Sequence, residues 1–194
     1  MTERAWVTYD DNANETVIDW LRRGSGWASR AFLIPQKRWS DPILDDYAKN
    51  GNVGSDKGNQ AQSGGPVFCL GPTLKLLEQA VHVAGENRLG IVEWSAPLIR
   101  GWAAATGAVN LATGAIEPTP NDEAQAALEE LARIGFLRPE PFYKAKRVEP
   151  VATLKNAGCD LYYVQTYLIA QGLTHTDVAG AAKYFDRPPT NWDV

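Results

Sequence analysis

Cysteine, methionine and histidine are scarce in this chain: 2, 1 and 2 residues among 194. Cys69 and Cys159 each sit in an apolar segment with no neighbour at metal-ligand spacing. That argues against a zinc module, and the two thiols read as buried groups of a reducing compartment, with a single disulfide as the lesser alternative. Positive charge is not in excess either. The net charge is −4 and the pI about 5.2, which argues against a dedicated duplex-binding domain, whose affinity comes from phosphate contacts. No apolar run approaches the roughly 20 residues that span a bilayer, and Met1–Trp6 lacks the pattern of a secretory signal, so a cytoplasmic protein with no membrane partner is expected. No Walker A loop, no G-x-G-x-x-G and no G-x-S-x-G occurs.

What is present is globular. Apolar residues make up 44% and charged residues 22%, enough to build a core without staples. Short β-branched or wholly apolar runs fall at 6–9, 31–34, 66–70 and 89–94. Helical spacing follows each of them, over about 13–23, 41–47, 73–84 and 97–105. Apolar strands alternating with helices imply an α/β fold: a mostly parallel, Rossmann-like sheet in three layers. Residues 108–117 read as a small β-hairpin turning at Gly114, and 119–134 as an amphipathic helix closed by Gly135. The stretch 50–65 holds five of the 17 glycines and reads as a long loop. Pro139 to Pro150 reads as a basic connector, and 151–186 as short helices. The expected division is an α/β domain over 1–118 and a helical extension over 119–194.

In a parallel sheet the turns after the strands meet at one edge, and ligands bind there. Four loops should converge. They bring Asp10, Asp11, Asn12 and Asn14; Gln36, Lys37 and Arg38; Gly71 and Thr73; and Ser95 beside Glu93. The cations Lys37 and Arg38, with the Gly71-Pro72-Thr73 helix start, point to an anion site, so a phosphate-bearing, nucleotide-like ligand is the leading expectation. Lys37, Arg38, Gly71, Thr73 and Ser95 are its candidate ligand-binding residues. Pro72, which lacks an N–H, is a gap in that cradle.

Two alternatives stand beside it. Asp10, Asp11 and Glu93 at strand ends suit Mg²⁺ and phosphodiester chemistry, against the simpler role of Asp10 and Asp11 in capping the first helix, with Glu93 facing water. The window 20–40 carries Arg22, Arg23, Arg30, Lys37 and Arg38, no acid, and the indoles of Trp27 and Trp39. That pattern suits single-stranded nucleic acid, against a covering role at the ends of a strand. Residues 161–185 resemble a helix-turn-helix in outline, but their second helix lacks the charge for a major groove. A contact with a protein partner or a second copy through 151–186 is the expectation there.

The opening Trp6-Val7-Thr8-Tyr9-Asp10-Asp11, followed by Glu15, Val17 and Leu21, resembles the start of a Toll/interleukin-receptor-like domain. Ser40 to Asp46 is a loose counterpart of that family's acidic helix, whereas the hairpin and C-terminal helices depart from it. The resemblance implies a strand-helix opening and does not extend to NAD cleavage.

Overall fold

The structure is a computed structural model that describes residues 3–36, 41–58, 60–94, 98–138 and 141–185. Lys37, Arg38, Trp39 and Ser95 lie outside the described residues.

One six-stranded sheet organises the chain, and every ladder in it is parallel. In chain order its strands are β1 (Arg4–Thr8), β2 (Ala31–Leu33), β3 (Val53–Gly54), β4 (Val67–Leu70), β5 (Leu89–Glu93) and β6 (Val109–Asn110). In space they run β3-β2-β4-β5-β1-β6. The helices between them are α1 (Ala13–Arg22), α2 (Pro42–Tyr47), α3 (Leu74–Ala84) and α4 (Arg100–Thr106). After β6 come α5 (Asp122–Ile134), α6 (Pro141–Asn156), α7 (Leu161–Ala170) and α8 (His175–Ala179).

Alternation along the strands explains the two faces. Val7, Phe32, Phe68, Leu70 and Val92 point to the face covered by α1 and α2, where they meet Val17, Ile18, Leu21, Leu44 and Tyr47. Trp6, Leu33, Val67, Cys69, Leu89 and Ile91 point the other way, into a larger apolar cluster with α3 and α4. That cluster continues without a break into α5, α7 and α8 through Leu128, Leu131, Val164, Leu168 and Val178. Both cysteines are free and buried.

The closest helix packing joins α4 to α7. A Cβ at Gly101 would collide with the Tyr163 carbonyl, and the Trp102 N–H donates to Thr166 Oγ1 at 3.3 Å.

Three sequence expectations change here. The glycine-rich loop contributes β3, which fills the free edge of β2, and Asn52 fastens the loop by donating to the Gln62 carbonyl (2.9 Å) and accepting its N–H (2.7 Å). The hairpin reduces to a single antiparallel bridge, Val109 to Ile116, while Val109 and Asn110 join β1 as the sixth parallel strand. The expected connector at 139–150 is instead largely helical: α6 runs through Pro150 to Asn156. Pro141 starts it, where a missing N–H costs nothing. Arg147 anchors it, 2% exposed, donating to the carbonyls of Gly135 (2.7 Å) and Arg138 (2.9 Å).

Among the described residues no helix is long and apolar enough to cross a membrane.

Candidate functional site

Because all six strands are parallel, the turns after β1, β2, β4 and β5 open on one edge of the sheet. From β2 the chain leads outward to β3, whereas from β4 it leads the opposite way to β5. Connections that diverge from neighbouring strands leave a crevice between them at this edge. Its described walls are Ile34-Pro35-Gln36 on one side and Gly71-Pro72-Thr73 on the other.

The turn after β1 is built from its own polar groups. Tyr9 extends the ladder by donating its N–H to the Glu93 carbonyl (2.8 Å), and its ring is 53% exposed. Asp10 Oδ1 accepts the Asn12 N–H (2.9 Å), and the Asp10 carbonyl accepts from Ala13, so Asp10 shapes the entry to α1. Asp11 is exposed. Asn14, only 8% exposed, reaches across and donates to Asp41 Oδ2 (2.8 Å) while Asp41 Oδ1 caps α2 through the Ile43 N–H (2.9 Å). That pair ties the turns after β1 and β2 together. Asn14 Oδ1 is buried with no hydrogen-bond partner.

The turn after β4 holds two of the expected residues. Gly71 adopts φ +54° and supports the Trp94 indole directly on its backbone; a Cβ there would penetrate the ring. Trp94 remains 47% exposed, lying at the rim with Tyr9 from the adjacent strand. Thr73 is the N-cap of α3, accepting the Leu76 N–H (3.1 Å). Its hydroxyl donates to the Asp56 carboxylate (2.9 and 3.0 Å), and Lys75 Nζ donates to the Asp56 carbonyl (2.5 Å). The start of α3 therefore already has an anion beside it. Burial raises the Asp56 pKa above the usual carboxylate value, and the Thr73 hydroxyl offsets part of that rise.

Glu93 does not face water. It is 1% exposed, and strand parity sends it toward α4, where Oε1 accepts the Ile99 N–H (2.9 Å) and Oε2 is left without a partner. Burial raises its pKa to about 7. Among the described residues no three His, Cys, Asp or Glu side chains are grouped so that they could hold a metal ion. Asp10, Asp11 and Glu93 thus lie on neighbouring strand ends without forming a three-carboxylate cluster.

Arg22, Arg30 and Trp27 of the basic and tryptophan-rich window are engaged internally. Arg30 stacks on Trp27 (4.9 Å) and donates to the carbonyls of Tyr47 (2.8 Å) and Asp46 (3.0 Å). Arg22 pairs with Asp19 and Asp46. Of the 161–185 segment, α7 is almost wholly spent on internal packing and α8 has 5 residues. Tyr9, Trp94 and Asp56 were not named as site residues from sequence; Tyr9 and Trp94 were readable as aromatics at strand ends, but their exposure was not.

Comparison with known protein families, curated proteins and solved structures returns no match to this chain.

Proposed function

We propose that the protein is an α/β binding module that takes a nucleotide-like, phosphate-bearing ligand at the edge where its strands end. The observation that carries this reading is the exposed Trp94 ring, seated on Gly71 next to the crevice between β2 and β4. A planar base stacks on such a surface. The exposed carboxylates of Asp10 and Asp11 favour the hydroxyl and amino groups of a nucleoside. Asp56 occupies the neighbourhood of Thr73, so the reading assigns the phosphate to Lys37 and Arg38, which follow β2 in the sequence, rather than to the start of α3.

Calorimetric titration with ATP, GTP, NAD⁺ and their nucleosides tests it. At least one nucleotide binds and raises Tm, and Trp94→Ala weakens it about tenfold, the scale of one lost base–aromatic stack. No heat and no Tm shift from any of them at millimolar concentration would remove the reading.

A further inference from the structure

Much of the apolar surface left in the open gathers around one helix. Leu137, Phe142 and Val148 are each 61% exposed, and the last two belong to α6. That helix turns Arg147, Val151 and Leu154 inward, where Val151 and Leu154 join the larger apolar cluster. Its other side carries Pro141, Ala145, Val148 and Ala152, all exposed. They recur at intervals of four, three and four residues, the spacing of a seam along which two helices pack. Phe142 borders the start of the seam, and Lys155 ends it where the next apolar residue would fall.

The charges beside the seam say what fits it. Lys144 precedes Ala145 on one flank, and Glu149 follows Val148 on the other. Both are exposed, and among the described residues neither makes an ion pair or a hydrogen bond. When two such helices lie parallel, the residue before a seam position on one faces the residue five further on in the other. Lys144 of one copy then meets Glu149 of the second, and twofold symmetry makes that bridge twice. Antiparallel helices bring like flanks together instead, which would set Lys144 on the side of the second copy's Lys144. Ala145 and Ala152 let a second backbone approach closely and offer little to a lipid surface.

We infer that α6 is the contact between two copies of this chain, packed parallel about a twofold axis, with the seam of Ala145, Val148 and Ala152 closed on both sides by Lys144–Glu149 bridges. The seam is only about three turns long, so the dissociation constant is expected on the order of 0.1 mM.

Sedimentation velocity of the full chain between about 10 μM and about 1 mM tests it. The sedimentation coefficient rises with concentration toward that of a dimer. Lys144→Glu and Glu149→Lys each set like charges together twice and weaken association about tenfold. The double variant exchanges the ends of each bridge and restores association to within about threefold, as does an equimolar mixture of the two single variants. These side chains are exposed, and circular dichroism checks that the variants stay folded. A chain that stays monomeric at the highest concentration, single variants that associate as well as the unchanged chain, a double variant that stays weak, or a monomer that instead sediments with phosphatidylserine vesicles each overturns the assignment.

Discussion

The two faces of the sheet are covered differently. On one side α1 and α2 form a single layer over Phe32, Phe68 and Val92, and Tyr47 donates its hydroxyl to the Pro66 carbonyl (3.2 Å). On the other, α3 and α4 lie between the sheet and a second layer of helices, in one continuous apolar cluster. The difference shows where backbone meets backbone. On the thin face a glycine, Gly90, makes room for the Val17 side chain; on the thick face another, Gly101, makes room for the Tyr163 main chain. Side chains yield and carbonyls do not, so the thick face is the less forgiving of the two.

Matched substitutions sharpen that contrast. Gly101→Ala is expected to cost roughly 3 kcal/mol or more, because α4 and α7 must separate. Gly90→Ala is expected to cost about 1 kcal/mol, since Val17 can change rotamer. Neither glycine needs a positive φ, so chemical denaturation of the two variants isolates the packing difference. Equal losses would mean that the faces are equally compliant.

Glu93 gives the next effect, and it depends on pH. Burial lifts its pKa from 4.5 to about 7, so the folded protein holds the proton more tightly than the unfolded chain. Its contribution is whole below pH 4.5 and declines as pH rises through 7, a loss of roughly 3 kcal/mol at most. Glu93→Gln keeps an acceptor for the Ile99 N–H and abolishes that decline. Urea midpoints from pH 4.5 to 8 measure it; an undiminished slope in the variant would assign the effect to another group.

A smaller pair compares a buried polar anchor from each side. Arg147→Met strands the Gly135 and Arg138 carbonyls at the α5–α6 junction and should cost about 2 kcal/mol. Tyr47→Phe removes one hydrogen bond beneath α2 and should cost about 1 kcal/mol. The reverse order in thermal denaturation would count against Arg147 as the anchor of α6.

The parallel sheet was legible because four apolar runs alternate with helical spacing, and that pattern has few other solutions. β3 was not: Val53 is an apolar residue in a glycine-rich stretch, and its strand character comes from the vacant edge of β2. α6 was hidden by Pro141 and Pro150, because the arginine that holds it makes its bonds to distant carbonyls. At the candidate site, the sequence points to Asp10, Gly71 and Thr73 by their places after the strands, but the Asp56–Thr73 and Asn14–Asp41 bonds join turns far apart in the chain. Strand parity alone could have turned Glu93 inward, since Leu89, Ile91 and Glu93 share a side.

The paired bonds between Asn52 and Gln62 make a closed ring of chain around β3. A ring shut by one side chain at its neck loses both bonds together once Asn52 lets go. The ladder to β2 and the Asp56 bonds to Thr73 and Lys75 then still hold the lobe, so its neck should loosen before its edge strand does.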